Sequence, residues 1–359
     1  MIIKSLKLKN YRNYDLLNLE FDECTNIFYG DNAQGKTNIL ESVYLTGTTK
    51  SHRGTKDRDL IKFGQEEAHI ETIVEKRGVP FKIDIHLKKN SPKGIAINKV
   101  PIKKASELFG IINIVFFSPE DLNIIKNGPA ERRRFIDLEL AQLDKVYLND
   151  LSNYNRIVNQ RNRLLKDIYD KKDLMATLDI WDLQLVNYGN KVIERRKIFI
   201  EQMNEIIGSV HEKLTGGKER LQLVYEPGVK NDNFEETLLK NRERDLRMKS
   251  SSVGPHRDDI CFLCGDLDIR KFGSQGQQRT AALSLKLAEI ELVKQEVKDT
   301  PILLLDDVLS ELDKNRQNYL LDSINDVQTL ITCTGLDDFV NKRFSINKIL
   351  HVEQGHVKT

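Results

Sequence analysis

The stretch that decides the fold is residues 30–37, which read Gly30-Asp31-Asn32-Ala33-Gln34-Gly35-Lys36-Thr37. It matches the pattern G-x-x-x-x-G-K-[ST], in which a glycine-rich loop holds phosphate groups. Residues 25–29 before it are rich in strand-forming side chains, and residues 38–45 after it have apolar positions at helical spacing. Because this pattern needs a strand before the loop and a helix after it, the sequence predicts a nucleoside triphosphate site.

Each part of the loop has a predicted role. The backbone N–H groups of residues 30–35 are expected to surround the β-phosphate. Lys36 is expected to place its charge on the β- and γ-phosphates, and the hydroxyl of Thr37 to hold Mg²⁺. The first N–H groups of the following helix favour the same anion. The alternative, a glycine-rich turn that matches by chance, is rare for so long a pattern in this context.

The composition is that of a folded protein with two to three domain-sized units. The chain has 359 residues, and its 39% hydrophobic and 31% charged content excludes a disordered chain. Its net charge is only +2, so any surface that binds nucleic acid must be local. No apolar run is long enough to span a bilayer, and the first residues lack a signal-peptide core. We therefore expect a cytoplasmic protein.

The four cysteines, at positions 24, 261, 264 and 333, are expected to be reduced thiols. The spacing of Cys261 and Cys264 is typical of one half of a zinc site. No second pair of cysteine or histidine residues lies at a usable distance along the sequence. Two half-buried thiols on a strand are therefore the favoured interpretation, and disulfides are not expected in a reducing cytosol.

The apolar pattern changes twice along the chain and predicts two lobes. Strand patterns with polar turns surround the phosphate-binding loop at residues 30–37, called the P-loop below, and helical patterns follow. From residue 250 strand patterns return, together with one clear helix over 275–296. The predicted helical segments are 131–170, 173–214 and 233–248. We predict an ATPase lobe formed by residues 1–115 and 250–359, with an all-helical lobe, residues 116–249, inserted between its two parts.

A second acidic motif completes the predicted nucleotide site. Residues 301–305 have the pattern of an apolar strand, and Asp306 and Asp307 follow it. An apolar strand followed by acidic residues is the pattern of the Walker B motif of nucleotide-binding proteins. A wholly apolar strand lies in the middle of a covered sheet, so we expect it in one sheet with the P-loop strand. Asp306 is expected to bind Mg²⁺ with Thr37, and Asp307 to orient or deprotonate the attacking water. The alternative is a strand that ends in solvated acids.

Residues at the start of the helix over 275–296 predict a further phosphate contact. Ser274 and Gln277 have the spacing of a capping box, which is a sufficient structural explanation for both. A cap does not need Gly276, however, and glycine disfavours a helix interior by about 1 kcal/mol. A glycine there is useful if another molecule must approach the backbone closely, for example the γ-phosphate of a second nucleotide.

With these motifs the chain resembles the ABC-type ATPases, in the branch that contains SMC-like heads. Residues 274–277 are similar to the signature motif of that superfamily, and Ser310-Glu311-Leu312-Asp313 is similar to its D-loop. The resemblance implies an α/β fold: an ABC-type ATPase head with a P-loop core and an antiparallel β subdomain, plus the helical lobe. It also implies that two copies enclose two ATP molecules, each P-loop facing Ser274, Gly276 and Gln277 of the second copy.

Some positions depart from the pattern of the superfamily. Asp307 stands where most members have glutamate, which suggests slow hydrolysis and a weak, DNA-stimulated ATPase that acts as a switch. Thr332 or Thr334 occupies the place of the switch residue, where histidine is usual. Glu120 and Asp121 are the candidates for the Q-loop position, although neither is glutamine.

The finer resemblance is to the RecF family of bacterial recombinational repair ATPases, and it covers essentially the whole chain. It rests on residues 9–14, 50–53, 117–122, 131–137 and 254–259. It implies an ATP-induced homodimer that clamps duplex DNA near single-strand gaps in DNA repair, replication restart and the SOS response, and that works with RecR and RecO to load RecA. The alternatives are the ATP-binding subunit of a membrane transporter, a structural DNA organiser and an ATP-regulated nuclease.

Local positive charge suggests where DNA could bind. The first candidate group is the polar loop after the P-loop helix, and the second begins the helical segment; phosphates are neutralised by such cations without sequence readout. The candidates are Lys50, His52, Arg53, Lys56 and Arg58, and Arg132, Arg133 and Arg134. The alternative for each is a solvated face with salt-bridged acidic neighbours. Tyr11 and Arg12 are candidates for stacking on the adenine.

Overall fold

The computed structural model describes residues 1–168, 174–229, 233–335 and 347–358, which contain both strands and helices. The strands are β1 (Ile2–Tyr11), β2 (Tyr14–Glu20), β3 (Thr25–Tyr29), β4 (Glu67–Lys76), β5 (Val79–Lys88), β6 (Ser91–Ile97), β7 (Val100–Pro101), β8 (Ile114–Phe117), β9 (Leu221–Glu226), β10 (Asp259–Cys264), β11 (Leu267–Asp268), β12 (Ile302–Asp306), β13 (Thr329–Cys333), β14 (Lys348–Glu353) and β15 (His356–Lys358). The helices are α1 (Lys36–Thr48), α2 (Leu122–Lys126), α3 (Pro129–Leu143), α4 (Lys145–Asp167), α5 (Met175–Thr215), α6 (Phe234–Lys240), α7 (Arg242–Met248), α8 (Ile269–Phe272), α9 (Gln275–Val297) and α10 (Lys314–Ser323).

The chain divides into two compact units. Unit 1 consists of Met1–Asp121 and Leu283–Thr359, and unit 2 consists of Leu122–Ala282. Unit 1 therefore contains the P-loop and the Walker B strand, whereas the residues around Ser274 belong to unit 2. Within the described ranges, no helix combines the length and the apolar character that crossing a bilayer requires.

The central sheet of unit 1 combines strands from both ends of the chain. Its order is β15–β14–β3–β13–β12–β8, and every neighbouring pair is parallel except β14 and β15. Strands β8, β12 and β13 are buried along their whole length, as expected for parallel strands that are covered on both faces. The prediction that the P-loop strand and the Walker B strand share one sheet is confirmed, with β13 between them.

A second sheet of unit 1 is antiparallel, in the order β2–β1–β4–β5–β6–β7. Buried and more exposed residues alternate along β4 and β5, so one face of this sheet carries apolar side chains. Residue Tyr11 ends β1 and Tyr14 begins β2, and the two pair across a tight turn formed by Arg12 and Asn13. The predicted antiparallel subdomain is therefore present, and its first turn lies at Arg12 and Asn13.

Unit 2 corrects the predicted division of the chain in two ways. It is not all-helical, because it contains the antiparallel sheet β11–β10–β9 in addition to helices. Its second boundary lies in α9 and not at residue 250, because β10 pairs along its length with β9, from Asp259–Glu226 to Cys264–Leu221. The helices α3, α4 and α5 otherwise follow the predicted helical segments; the predicted ends at 170 and 173 lie outside the described residues.

Candidate nucleotide-binding site

The P-loop has the backbone shape that a phosphate-binding loop requires. Gly30, Ala33 and Gly35 have φ angles of 149°, 65° and 116°, which lie in the region that favours glycine. Gly35 caps α1, so the first N–H groups of this helix lie directly behind the loop. The loop therefore presents backbone donors and the positive end of a helix dipole to one place, which is the arrangement that binds phosphate.

Two turns that are distant in sequence hold this loop in place. From the β1–β2 turn, Asn13 Nδ2 donates to Gln34 O over 3.0 Å, and the hydroxyl of Tyr14 donates to Gly35 O over 3.1 Å. From the β14–β15 turn, Gln354 N donates to Gln34 Oε1 over 2.6 Å, and Gly355 N donates to Gln34 O over 3.1 Å. No sequence motif predicts these contacts; the turn-forming residues of the two segments are the one signal that could have suggested them.

The packing around Gly35 explains why this position has no side chain. A Cβ atom there would come within 2.5 Å of Asn13 Nδ2 and 2.8 Å of the Tyr14 hydroxyl oxygen. At Gly30 a Cβ atom would lie 2.3 Å from Val352 O. The two glycines of the motif are therefore required by close packing as well as by their backbone angles.

Lys36 lies almost buried under the loop, with 6% of the residue exposed. Its Nζ donates to Gly30 O over 2.6 Å and to Asp31 O over 2.8 Å. Burial lowers the pKa of Lys36, and the nearby carboxylates, Asp307 foremost, oppose this shift. The ammonium group thus lies inside the curve of the P-loop, where the sequence places its contact with the β- and γ-phosphates.

A chain of hydroxyl and carboxylate groups connects the P-loop to the Walker B strand. Thr37 Oγ1 donates to Asp306 Oδ1 over 2.8 Å, and Thr332 Oγ1 donates to the same oxygen over 2.7 Å. Asp306 is 8% exposed, and burial raises its pKa although both hydroxyl groups act in the opposite direction. A hydroxyl and a carboxylate in contact at the mouth of a P-loop are oxygen ligands that suit Mg²⁺, so Thr37 and Asp306 fit the predicted metal site.

Asp307 follows the Walker B strand in a strained conformation. Its φ angle is 56°, in the left-handed region that residues other than glycine adopt uncommonly, although aspartate does so more often than most. Its N–H group donates to Thr332 Oγ1 over 3.1 Å and to Thr332 O over 3.3 Å, so Thr332 fixes the backbone at this point. Strained residues that the surroundings hold in place are common at functional sites. Of the two candidate switch residues, Thr332 is the one that contacts both acids, whereas Thr334 is exposed.

The predicted adenine contacts are only partly supported by the geometry. Tyr11 is completely buried, so the interpretation of its ring as a stacking surface is wrong. Its hydroxyl donates to Glu41 Oε2 over 3.3 Å. Arg12 is 19% exposed and donates two hydrogen bonds of 2.8 Å to the fully buried Glu41 carboxylate. Arg12 is therefore held at the base of the loop after α1, and its contact with adenine stays a prediction.

The ion pair between Arg12 and Glu41 predicts an effect on stability. We expect Arg12→Met to lower the free energy of unfolding by about 3 kcal/mol, because it leaves a buried carboxylate without its cation. Although burial alone would raise it, hydrogen bonds from Arg12 and Ser51 hold the pKa of Glu41 below its ordinary value of 4.5. A depressed folded-state pKa stabilises the protein above the ordinary value, and this stabilisation is lost as the pH falls through the folded-state value.

Urea unfolding followed by circular dichroism, at neutral pH and in mild acid, checks this prediction. The difference in the free energy of unfolding between the wild type and Arg12→Met must become smaller in acid, where Glu41 takes up a proton. Glu41→Gln and the double variant complete a mutant cycle, in which the double variant loses less than the sum of the single changes. An Arg12→Met penalty that is small, or that is the same at both pH values, would contradict the assigned pair.

The polar loop after α1 carries exposed cations and one partly buried aromatic ring. Lys50, Arg53, Lys56 and Arg58 are exposed, as a surface that binds phosphates requires. The ring of His52 instead stacks on Phe116 with 4.3 Å between ring centroids, and burial lowers the pKa of His52 to about 4. His52 is therefore neutral and does not belong to the basic surface. The charge of Arg53 also lowers the pKa of Asp306, so Arg53 lies on the nucleotide side of this loop.

The arginines that begin α3 correct a second prediction. Arg132 is 4% exposed; its Nε donates to Asp259 Oδ1 over 2.5 Å and a terminal nitrogen donates to Asp259 Oδ2 over 3.0 Å. Arg133 is half-buried and donates to Asp258 O over 2.7 Å. The assignment of Arg132 to a DNA surface is therefore wrong, because this buried side chain connects α3 to the start of β10. The assignment of Arg133 stays a prediction. Arg134 is exposed and remains a candidate.

The residues at the start of α9 form the predicted capping box. Gln277 N donates to Ser274 Oγ over 3.2 Å, and Ser274 N donates to Gln277 Oε1 over 2.9 Å. A Cβ atom on Gly276 would meet only Ser274 Oγ, at 3.9 Å, within 4 Å. The chain's own packing therefore does not require glycine at 276. Ser274, Gln275 and Gly276 are all exposed.

The two Q-loop candidates differ in their surroundings. Glu120 is exposed. Asp121 accepts a hydrogen bond of 2.9 Å from Ser118 N, and burial raises the pKa of Asp121 to about 7 despite the charge of Lys286. Asp121 thus closes the turn after β8, and its role at a Q-loop stays a prediction.

The central parallel sheet, the P-loop and the acid at the end of the Walker B strand define an ABC-type ATPase head, as the sequence predicted. The model of the family described as "RecF/RecN/SMC N terminal domain" matches residues 2–358. A protein of Agathobacter rectalis named "DNA replication and repair protein RecF" is 64% identical over 358 residues, which is 100% of this chain and 99% of that protein. The chain belongs to the RecF family within this group.

Solved structures give the same assignment. The structure described as the recombination mediator protein RecF with ATP in the RecFOR pathway has a TM-score of 0.92 and 36% sequence identity, and the match covers 99% of this chain and 97% of that chain. The Smc head domain of Pyrococcus furiosus has a TM-score of 0.57 at 18% identity, over 99% of this chain and 95% of that chain. The second similarity shows the fold alone.

Proposed function

We propose that this protein is an ATP-dependent DNA-binding protein of recombinational repair and replication restart. The observation that carries the proposal is the contact of Thr37 with Asp306, which brings the P-loop and the Walker B acid into one site. The named function of the relatives, DNA replication and repair, supports the choice of DNA as the partner. Similarity to RecF proteins over the whole chain favours this function over the alternative of a transporter subunit, and it agrees with a cytoplasmic location.

ATP binding follows from the loop geometry. The N–H groups of residues 30–35 and the start of α1 surround the phosphates, and Lys36 exchanges its contacts with Gly30 O and Asp31 O for phosphate oxygens. Thr37 and Asp306 are the residues that would hold Mg²⁺, which neutralises charge on the phosphates. The ATP-bound RecF structure supports the choice of ATP for this chain.

Hydrolysis depends on Asp307 in this proposal. Its backbone is fixed by Thr332, which keeps its side chain at the end of the Walker B strand, where the carboxylate can accept a proton from a water molecule at the γ-phosphate. Aspartate is one methylene shorter than the glutamate that is usual at this position, so its carboxylate lies farther from that water. We therefore propose a weak ATPase, stimulated by DNA, that resets a switch.

ATP also joins two copies of the chain in this proposal. The exposed Ser274 and Gly276 at the start of α9 offer a hydroxyl, N–H groups and a helix dipole to the γ-phosphate held by the second copy. The resulting homodimer clamps duplex DNA near single-strand gaps and acts with RecR, and with RecO, to load RecA. Arg12 contributes a contact to the adenine through the exposed part of its side chain.

The surface for DNA is the loop after α1. Lys50, Arg53 and Lys56 are exposed cations there, whereas in unit 2 the buried Arg132 is no longer a candidate and Arg134 is the exposed one. Phosphate contacts by such residues give affinity without sequence preference and make binding depend on salt.

Lys56→Glu tests this surface without touching the nucleotide side of the loop. We expect weaker binding to gapped duplex DNA and a salt dependence whose logarithmic slope is lower by about 1, since one phosphate contact is lost. Fluorescence anisotropy at several salt concentrations measures both quantities. Lys103→Glu, another exposed lysine of unit 1, is the matched control and keeps the wild-type slope. If both variants behave alike, Lys56 is not part of the surface.

Sedimentation of the protein with and without ATP, on gapped and on intact duplexes, tests the function as a whole. We expect the dimer and its DNA complex to form with ATP and to prefer the gapped duplex. A protein that sediments as a monomer with ATP and that binds neither duplex would refute the proposal. Binding of ATP without any effect on DNA binding would refute the DNA role alone.

A further inference from the structure

Unit 2 contains a group of side chains with metal-binding chemistry that is separate from the nucleotide site. His211 lies in the last turns of α5, Glu219 lies in the loop that follows, and Cys264 ends β10. His211 Nε2 lies 3.5 Å from Glu219 Oε2 and 3.7 Å from Cys264 Sγ. All three ligand atoms lie within 4.8 Å of one another. The three elements thus place a nitrogen, an oxygen and a sulfur donor around one point.

The two separations from His211 Nε2 are close to those of ligands around a tetrahedral zinc ion. With bond lengths of about 2.3 Å to sulfur and about 2.0–2.1 Å to nitrogen or oxygen, tetrahedral ligands lie about 3.3–3.6 Å apart. The two measured separations differ from this range by a few tenths of an ångström at most. A thiolate, an imidazole and a carboxylate are also the donors that zinc binds, whereas Mg²⁺ and Ca²⁺ prefer oxygen alone.

The backbone around the group is already ordered. Two glycines with φ angles of 64° and 80°, Gly216 and Gly217, turn the chain back after α5. Thr215 Oγ1 donates to His211 O over 2.9 Å and accepts from Glu219 N over 3.3 Å. The helix end and the loop are therefore connected at Thr215, and little rearrangement is needed for Glu219 and His211 to bind one ion.

We propose that His211, Glu219 and Cys264 form a binding site for Zn²⁺, with a water molecule as the fourth ligand. His211 is completely buried, whereas Glu219 is 29% exposed, so the ion and its water reach the site from the side of Glu219. The site uses one cysteine of the Cys261–Cys264 pair and takes its other ligands from α5 and the following loop. The absence of a second cysteine pair in the sequence therefore does not exclude zinc.

The site also connects to the start of α9 through Gln277. Gln277 Nε2 donates to Glu219 Oε1 over 2.8 Å, while Gln277 Oε1 accepts from Ser274 N over 2.9 Å. An outer hydrogen bond of this kind orients a carboxylate ligand and commonly changes metal affinity by about 10–100-fold. Zinc binding would thus fix Glu219 and, through Gln277, the residues from 274 to 277.

The alternative is a hydrogen-bonded group that needs no ion. Burial raises the pKa of Cys264 to about 11, and the charge of Glu219 acts in the same direction, so the thiol is protonated when no metal is bound. Zinc must displace this proton. A hydrogen-bonded group alone binds no stoichiometric metal ion, whereas the proposed site binds one ion through the sulfur of Cys264.

Titration with Co²⁺, a spectroscopic substitute for Zn²⁺, tests the site in the full-length protein after treatment with a chelator. We expect one equivalent of Co²⁺ to give a sulfur-to-cobalt charge-transfer band and the strong visible bands of tetrahedral geometry, and Zn²⁺ to displace it. Cys264→Ser must lose the charge-transfer band and weaken binding at least 100-fold. Cys261→Ser, the matched control on the same strand, must keep both.

Two further variants separate a metal site from an effect on folding. Glu219→Gln changes a partly exposed loop residue and must weaken Co²⁺ binding, and Gln277→Ala must weaken it about 10-fold. Circular dichroism confirms that each variant is folded. Substoichiometric binding, a charge-transfer band that survives Cys264→Ser, or a band that disappears in Cys24→Ser, where an exposed thiol is removed, would each overturn the proposal.

Discussion

Lys36→Ala is expected to weaken nucleotide binding about 100-fold. The ammonium group lies within the curve of the P-loop, 2.6 Å from Gly30 O and 2.8 Å from Asp31 O, where its charge reaches two phosphates. A hydrogen bond to a charged group contributes about 1.5–3 kcal/mol, so the loss of these contacts weakens affinity by about 3 kcal/mol, or about 100-fold. Equilibrium dialysis with ATP and Mg²⁺ measures the effect.

A suitable control must separate charge at the phosphates from charge elsewhere on the protein. Lys50→Ala removes an exposed lysine just beyond the other end of α1 and must leave ATP affinity unchanged. Circular dichroism shows whether Lys36→Ala retains its helices, since the aliphatic part of Lys36 is buried. Unchanged ATP affinity in a folded Lys36→Ala variant would refute the assignment of the site.

Ser274→Arg is expected to leave ATP binding intact and to abolish the ATP-induced dimer. Ser274 is exposed at the start of α9, and the space beside Gly276 is open, so a large side chain would occupy the place proposed for the second copy's phosphate. Static light scattering with ATP measures the molar mass. The monomer is expected at every protein concentration at which the wild type is dimeric.

Loss of the helix cap is a second effect of this substitution, because Ser274 Oγ accepts from Gln277 N. Ser274→Asp separates the two effects, since aspartate is an equally good cap but brings a negative charge towards the triphosphate. It too must remain monomeric. Ser209→Arg, at an exposed serine of α5, is the matched control and must dimerise as the wild type does. Dimers that persist in both Ser274 variants would refute the enclosed-nucleotide arrangement.

The core of the nucleotide site could be predicted because its signals are local. The P-loop residues follow one another in sequence, and the apolar run before Asp306 has the composition of a buried parallel strand. The sheet that unites β3 and β12 then follows from the chemistry of one nucleotide, which needs both the loop and the acid. The role of Thr332 was less certain, since two threonines were candidates and only the hydrogen bond to Asp306 distinguishes them.

The features that were missed depend on partners that are distant in sequence. The charge of Arg132 resembles part of a phosphate-binding group until Asp259 is known to lie beside it. Strand β9 lies in a mostly helical stretch, although its alternation of buried Leu221 and Leu223 with exposed Gln222 was a signal that could have identified it. The surroundings of Cys264 combine α5, a loop and β10, an association that no spacing rule describes.

The order in which a ribosome makes this chain has a consequence for the nucleotide pocket. Strand β3 emerges early, but its two neighbours in the sheet are β13 and β14, and the P-loop also rests on Gln354 and Gly355. Such long-range pairing forms late in folding. A nascent or truncated chain that ends before these strands has the complete P-loop sequence but lacks the partners that hold it. We therefore expect such a chain not to bind ATP and not to compete with the finished protein for nucleotide.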